Sequence, residues 1–469
     1  FLNALCNYPE LHGMQSNLFK CFLPVAWRIG SERGFSAFIH PEGIYDDPNG
    51  GALRRELYSR LLYHLQFQNA FMLFPIAHRN RFSINIYGPR KENASFFNLA
   101  NLYEASTVDA CFSSDGTGVF QGIKTDDSNW NTTGHRDRIV RVTREELVLF
   151  AALYDEPGTP PEEARLPALH GRPLVEVLRK FAQAPKRLGD LEGEYFTTVM
   201  FDETNRQKDG TIRRETRFPD APEEWVLSGP HFFVGNPFYK TPRAVCTEKG
   251  HYDVLDLAAL PKDYLPRTNY IPACSREEYA RRTPVVPWDG RKVTESYRFV
   301  NRRMFGGASE RSLISTIVPP GLAHINPVLS TTFKEYRSLV HFNAFCCSLV
   351  ADFYLKTTGR TDVYESVLRM LPLIEYDHRI MLRCLSLNCL TKHYAPLWSE
   401  CWDESFRNDS WTSPDPRLGQ DFFSKLTPEW SRECALRTDL SRRQALVEID
   451  VLAALALGMT LDQLLAIYR

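Results

Sequence analysis

Phe35-Ser-Ala-Phe-Ile-His40-Pro41 is the stretch on which the fold of the first hundred residues turns. It is short and apolar, and it lies between Gly30–Gly34 and the turn cluster Asp46-Asp-Pro-Asn-Gly50-Gly51. Pro41 cannot donate to a central ladder, so the stretch reads as a buried strand ending at His40-Pro41. Upstream, Leu18, Phe22, Val25 and Ile29 recur at helical spacing. Downstream, Leu53, Leu57, Leu61, Leu62 and Leu65 share one face of a predicted second helix. Phe71–Phe74 is a candidate strand, and Phe82-Ser-Ile84-Asn-Ile86 alternates as a half-buried strand does. Residues 1–88 thus read helix–strand–helix–strand–strand, the grammar of an α/β sheet. Two or three strands cannot bury both faces, so this sheet is not self-contained.

Outward from that core, residues 89–142 are polar and Gly-rich and give no clear pattern. Thr143-Arg-Glu-Glu146 is a capping box before the apolar run Leu147–Leu153. Residues 157–167 read as a loop and 173–188 as a helix. Tyr195–Gln207 and Thr211–Phe218 flank Lys208-Asp209-Gly210, a hairpin signal. Residues 219–330 mix short strand-like runs with many Pro and Arg. Phe342–Tyr354 and Tyr376–Tyr394 are candidate helices, and Thr427-Pro428 reads as an N-cap with Pro at the first helical position. Arg442–Leu457 is a helix closed by Gly458, and Thr460-Leu-Asp-Gln463 opens another with a capping box.

Composition excludes some classes. The 469 residues carry 56 Lys plus Arg against 57 Asp plus Glu, so any nucleic-acid surface must be local. Eleven cysteines contain no Cys-x-x-Cys, and Cys384-x4-Cys389 lacks a His partner at zinc-finger distance. They read as reduced, buried thiols of a cytoplasmic protein, not as a metal site. No apolar run approaches the roughly 20 residues of a membrane helix. The start has neither initiator Met nor basic leader, and the end falls inside a helical pattern, so the chain reads as a piece of a longer protein.

Several chemical motifs compete with plainer readings. Asn236-Pro-Phe-Tyr239 resembles the turn with which amino-methyltransferases hold a target amine and stack an extruded base. Phe stands where the second Pro belongs, and no cofactor-binding Gly-rich turn precedes it, so a turn in another domain is the simpler reading. Asp115-Gly116-Thr117-Gly118 lacks the strand before and the helix after that a cofactor loop needs. No Lys has Asp or Glu two residues before it, which argues against the common metal-dependent nuclease core. Gly-x-Ser-x-Gly and His-Glu-x-x-His are also lacking. Basic side chains remain. Residues 276–311 hold nine Lys/Arg against five Asp/Glu, interleaved with Tyr279, Trp288, Tyr297 and Phe299. The hairpin region adds Arg206, Lys208, Arg213, Arg214 and Arg217. Arginine forks suit phosphates and guanine edges, and aromatic rings can stack on bases; a solvated, salt-bridged face has the same composition.

Two series of short motifs carry a family resemblance. Asn17-Leu-Phe-Lys-Cys-Phe-Leu23, Gly34-Phe-Ser-Ala-Phe-Ile-His40-Pro41, Leu53-Arg-Arg-Glu-Leu57, Phe67-x-Asn69 and Phe82-Ser-Ile84-Asn85 are similar to the part of adenine-specific DNA methyltransferases that follows their catalytic Asn-Pro-Pro-aromatic motif. The second series begins with Leu227-Ser-Gly-Pro-His231, Asn236-Pro-Phe, Lys240-Thr-Pro-Arg243 and Leu265-Pro-Arg-Thr-Asn-Tyr270. It continues through Tyr297-Arg-Phe, Glu310-Arg-Ser-Leu-Ile314, Ile317-Val-Pro-Pro-Gly321, Ser348–Tyr354 and Leu371-Pro372. This order resembles the target-recognition region of type IIG restriction–modification methylases and their relatives in the BREX and DISARM phage-defence systems. Arg442–Asp450 and Leu461–Tyr468 resemble the helical segment that follows. The resemblance places Asn236-Pro-Phe in the recognition region, not in the catalytic turn.

The resemblance implies an α/β plus α+β fold in four stretches. Residues 1–105 would be the C-terminal part of a Rossmann-like methyltransferase sheet, and 106–215 a connecting region with helices and a hairpin. Residues 216–375 would form the target-recognition domain and 376–469 a helical domain. It implies S-adenosylmethionine as cofactor of the full-length protein, with none for this chain alone, and catalytic residues before Phe1. The expected partners are double-stranded DNA, the N-terminal methyltransferase half and other defence-system proteins, in the cytoplasm and without a membrane. His40 and Pro41 are expected to wall the pocket. Arg206, Lys208, Arg213, Arg214, Arg281, Arg282, Tyr297, Arg298, Arg302, Arg303 and Arg311 are expected on DNA. Two other classes stay open: a catalytically inert methylase-like scaffold, and a hydrolase whose site is not legible in linear sequence.

Overall fold

The computed structural model describes residues 6–15, 17–248, 250–306, 309–360 and 362–468. They fall into two compact units where the sequence predicts four stretches. The first comprises residues 1–184, 354–360 and 458–469, the second 185–353 and 361–457.

The first unit is built on a five-stranded mixed sheet. Its strands are β1 (Ser36–Pro41), β2 (Leu61–Gln68), β3 (Arg81–Tyr87), β4 (Ser95–Leu102) and β5 (Val140–Thr143), in the order β1-β3-β2-β4-β5. β2 and β4 run parallel, and the other neighbours are antiparallel. Helix α1 (Leu18–Ile29) starts where the Asn17 side chain accepts the Phe19 amide, and α2 (Gly51–Tyr58) buries Leu53, Leu57 and Tyr58. The predicted continuation of that helix through Leu61, Leu62 and Leu65 is not present: the chain turns at Ser59-Arg60 into β2. β2 is a central strand covered on both faces, so apolar residues do not alternate along it and its leucines imitate a helical face. β4 lies inside the stretch that gave no pattern. Phe71–Phe74 is a loop, not a strand.

Helices α3 (Ser106–Ser113), α4 (Arg144–Tyr154) and α5 (Pro173–Ala182) complete this unit, with the C-terminal helix Leu461–Tyr468. Both predicted capping boxes form. The Thr143 amide donates to Glu146 Oε2 at 2.9 Å, and the Thr460 amide to Gln463 Oε1 at 2.9 Å. Arg54, almost fully buried, ties carbonyls of Ile44, Asp47 and Glu163 together at 2.7–3.1 Å.

The second unit holds an antiparallel sheet of β6 (Tyr195–Thr198), β9 (Arg298–Arg302), β10 (Ser315–Val318) and β11 (Val328–Phe333), ordered β10-β9-β11-β6. A separate pair joins β7 (Ile212–Arg217) to β8 (Thr268–Pro272). The predicted hairpin across Lys208-Asp209-Gly210 is therefore corrected. β6 pairs with β11 and β7 with β8, and a short helix α6 (Glu203–Lys208), capped by Asp202, intervenes. Helices α7 (Arg276–Arg282), α8 (Tyr336–Cys346), α9 (His378–Asn388) and α10 (Asp439–Ala456) follow, and Gly458 past the end of α10 takes the left-handed φ of +65°. No helix starts at Thr427-Pro428. The carbonyls of these two residues instead accept Trp398 Nε1 (2.9 Å) and Ser399 Oγ (3.0 Å). The architecture is thus mixed α/β, with antiparallel sheets and helices toward the C-terminal end. Among the described residues no single helix is long and apolar enough to cross a membrane.

Candidate functional site

In the first unit β1 and β2 both oppose β3, and β4 runs with β2, so the carboxyl ends of β1, β2 and β4 gather at one end of the sheet. Ligands of open α/β sheets collect outside such ends. Here that end has a polar interior and an aromatic rim.

The interior is a hydrogen-bonded net anchored by Glu42, the residue after β1, whose side chain is 13% exposed. His64 Nε2 lies 3.3 Å from Glu42 Oε1, and His64 Nδ1 lies 2.6 Å from Asn98 Oδ1. Gln66 Nε2 donates to Glu42 Oε2 at 2.8 Å. Burial opposes ionisation of Glu42, but the charge of His64 and hydrogen bonds from His64, Ser83 and Gln66 outweigh it and hold the carboxyl down at about 2. Alongside, Asn85 donates to His40 Nε2 (2.9 Å) and Ser83 Oγ (2.8 Å) and accepts from Tyr45 (2.5 Å). His40 is buried, and burial pulls its pKa below the ordinary range, partly offset by its bond to the Pro41 carbonyl. Pro41 is exposed. The predicted wall residues thus differ: Pro41 faces out, and His40 belongs to the internal net.

The rim is the loop between β2 and β3. Asn69, fully buried, donates to the carbonyls of Phe74 (2.9 Å) and Ile76 (2.7 Å) and accepts the Phe74 amide (3.0 Å). This clamp holds the loop from within and leaves Phe71, Met72, Leu73, Phe74 and Ile76 38–57% exposed. Phe74 meets Phe82 edge-on at 5.0 Å, and Phe82 stacks on Phe67. Phe71 lies 6.2 Å from Tyr103, which stacks on Trp130 at 4.6 Å beneath the Lys124 ammonium. Such a surface can take a planar ring. Sequence reading missed it, although four large apolar residues, Phe71–Phe74, without alternation between Asn69-Ala70 and Pro75, are its signal.

The same unit leaves β1 as an open edge. Phe35 and Ile39 are exposed on and beside it, as are Leu18, Phe22 and Ile29 on α1. An apolar open edge is a liability that proteins ordinarily cover.

In the second unit the pairing of β7 with β8 brings α6, β7 and α7 together. Arg282 donates to the Asp209 carbonyl (2.9 Å) and to Thr211 Oγ1 (2.6 Å), seventy residues away in sequence. Arg206 and Arg282 thereby meet at Asp209, and Arg281 shares Glu278 with Arg282, whereas Arg213 and Arg214, adjacent on β7, point to opposite faces of the β7–β8 pair. Arg206 pairs with Asp209, Arg213 with Glu215, and Arg281 and Arg282 with Glu278. Arg214 donates to the Cys246 carbonyl and lies over the Tyr270 ring. The hydrogen bond from Thr211 pulls Asp209 down to about 2, and those from Arg281 and Arg282 do the same for Glu278, so both carboxylates stay charged.

The other predicted contacts are corrected by their burial or by their internal partners. Arg298, on the central strand β9, is fully buried; it donates to the Leu322 carbonyl and contacts Met200 Sδ, and burial lowers its pKa to about 10. Tyr297 is buried and donates to the His393 carbonyl at 2.7 Å. Arg311 grips Asp450 at 2.7 Å, with side chains 10% and 0% exposed. Arg302 spans the Gly229 (2.8 Å) and Phe232 (2.5 Å) carbonyls. Arg303, 23% exposed, bonds Asn326 and pairs with Asp362.

Neither of the two motifs that could suggest a cofactor site fits S-adenosylmethionine. Asp115-Gly-Thr-Gly118 follows α3 and leads into no helix. At Asn236-Pro-Phe-Tyr239 the Asn side chain accepts the Phe238 amide at 3.0 Å, and Phe238 is buried against Trp225. The Asn236 side-chain oxygen thus serves the turn's own backbone.

No family model and no curated protein matches the sequence. Among solved structures, the type IIL restriction-modification enzyme MmeI, determined in complex with DNA, aligns with 97% of this chain at 10% identity and a TM-score of 0.39. The type IIG restriction endonuclease BpuSI aligns with 98% at 10% identity and a TM-score of 0.26. The chain spans about half the length of either, 51% in both cases. It is thus distantly similar in structure to half of such restriction-modification enzymes.

Proposed function

We propose that this chain is the DNA-recognition part of an S-adenosylmethionine-dependent, adenine-specific DNA methyltransferase acting in restriction–modification or phage defence, in the cytoplasm. The observation that carries the reading is the Asn69-clamped rim of Phe71 and Phe74 at the carboxyl end of the first sheet. A base must leave the duplex to be methylated and is then held between apolar and aromatic side chains. Two further features support the reading. The open, apolar β1 edge suits a sheet continued by a cofactor-binding half outside these residues. The basic residues around α6, β7 and α7, Arg206, Lys208, Arg213, Arg214, Arg281 and Arg282, suit a duplex backbone, where phosphate contacts position and a few side chains read bases. In this reading methyl transfer requires that other half, since neither Asp115–Gly118 nor Asn236–Tyr239 has the surroundings of a cofactor loop.

A non-catalytic scaffold is the second reading, favoured by the commitment of Arg298, Arg302 and Arg311 to internal partners. One experiment separates the two. Binding of labelled S-adenosylmethionine and of duplex DNA is measured on this chain and on a protein that also carries a cofactor-binding half. The methylase reading expects duplex binding by both and cofactor binding by the longer protein only. No cofactor binding by the longer protein leaves the scaffold, and cofactor binding by this chain alone overturns the division of labour.

A further inference from the structure

Away from the sheet end, the first unit has a cleft of about 490 Å³ beside the edge strand β5. Phe97 of β4 and Phe112 of α3 meet edge-on in it at 6.0 Å, and Phe112 is 44% exposed. Tyr63 backs Phe112, again edge-on at 6.0 Å. Four arginines line the cleft: Arg136, Arg141, Arg172 and Arg179. Their compensation is unequal. Arg179 is held by Glu145, Glu146 and Glu176, and Arg172 by Asp137 at 2.6 Å. Glu146 is further occupied by the cap of α4, where Thr143 donates to it twice. Arg136 and Arg141 are exposed, and among the described residues no carboxylate lies within ion-pair reach of either; Arg141 has only a long contact to Ser95 Oγ at 3.4 Å. A pair of uncompensated guanidiniums beside an exposed phenyl ring offers two things at once, an anion clamp and a stacking face. Acidic peptides need only the first, and apolar ligands only the second.

We infer that this cleft binds a nucleotide unit, with Arg136 and Arg141 on the phosphate and Phe112 against the base. The inference does not rest on the methylase reading, since it concerns a surface apart from both the aromatic rim and the basic residues of the second unit. Within a protein that opens a duplex, it supplies a place for an unpaired strand. A free mononucleotide has the same chemistry, and the test distinguishes the two sources.

The test is fluorescence anisotropy of the full chain with a labelled twelve-residue oligothymidylate, with thymidine monophosphate as competitor. The wild type is expected to bind the oligomer. The double variant R136A/R141A is expected to bind at least tenfold more weakly, with the slope of log Kd against log salt smaller by about 0.7, the value for one single-strand phosphate that loses its partners. F112A is expected to weaken binding about tenfold while leaving that slope unchanged, because stacking releases no counterions. All three positions are exposed, and circular dichroism checks folding. Competition by the monophosphate identifies a free nucleotide as sufficient, and failure to compete identifies a strand. Absence of binding by the wild type, or oligomer affinity unchanged in both variants, overturns the assignment. Duplex binding recorded in parallel keeps the two proposals apart: its loss without loss of oligomer binding counts against the methylase reading alone.

Discussion

Two arginine-rich regions of the second unit have the same composition and opposite fates. Around α6, β7 and α7 the guanidiniums of Arg213 and Arg281 stand 57% and 77% exposed, each beside a carboxylate that is itself at the surface. Along β9 and the segment after it, Arg298, Arg302 and Arg311 turn inward and hold carbonyls or a buried aspartate. Arg383 and Arg442 join them as internal struts, the first between Asp409 and Glu448, the second on the carbonyls of Gly235, Leu387 and Leu436. A surface pair costs little to lose and leaves its charge available to a phosphate, whereas a buried pair cannot be broken without stranding a charge. The count of arginines in a sequence window is therefore silent on DNA binding until strand order is known.

The contrast is open to mutational attack. R311A should be the most damaging change, since it removes the cation paired with the buried Asp450 and leaves that charge to hydrogen bonds such as the one from the Leu349 amide; about 3–5 kcal/mol of stability is expected to go, read as a shifted denaturant midpoint. A cost below about 1 kcal/mol would mean that Arg311 behaves as a surface residue after all. Next comes E42Q in the first unit. Glu42 sits at about 2 against an ordinary 4.5, so its contribution is complete above pH 4.5 and is lost as pH falls toward 2. At roughly 1.4 kcal/mol per unit this is worth about 3 kcal/mol. The stability difference between wild type and E42Q should therefore shrink across that window, and a difference independent of pH would contradict the assignment. F71A/F74A should cost less than about 1 kcal/mol, because both rings are exposed, yet should remove the fluorescence response of a duplex carrying an unpaired 2-aminopurine. The smallest stability effect belongs to K208A/R213A/R281A, within about 0.5 kcal/mol in total. The same triple variant should flatten the salt dependence of duplex binding by about 0.9 for each duplex phosphate left without its basic partner.

Much of the first unit was legible where local chemistry dominates. α1 and β3 follow from periodicity, and both capping boxes from Thr143/Glu146 and Thr460/Gln463; β1 is a strand as read, but an edge strand with Phe35 and Ile39 exposed, not a buried one. β2 was not legible, because a strand covered on both faces loses its alternation and Leu61, Leu62 and Leu65 extend the helical spacing of Leu53 and Leu57. The hairpin failed for a related reason: a turn signal at Lys208-Asp209-Gly210 specifies a reversal, not a partner, and β7 found β8 more than fifty residues on. For the candidate sites, Arg206, Arg281 and Arg282 are brought together through Asp209 and Glu278. The rim of Phe71 and Phe74 rests on Asn69, whose partners are backbone groups, so its apolar run before Pro75 imitates a strand. Glu42 and His64 are 22 residues apart and meet only because β1 and β2 share β3 as neighbour.

The central claim is that this chain reads DNA sequence. Selection from a random duplex pool by the intact chain, with sequencing of the bound fraction, tests it most directly. The account predicts enrichment of one short motif containing an adenine, abolished or degraded by changes at Arg213, Arg214, Arg281 and Arg282 and insensitive to R136A/R141A. Recovery without sequence preference, at an affinity set by salt alone, would contradict it.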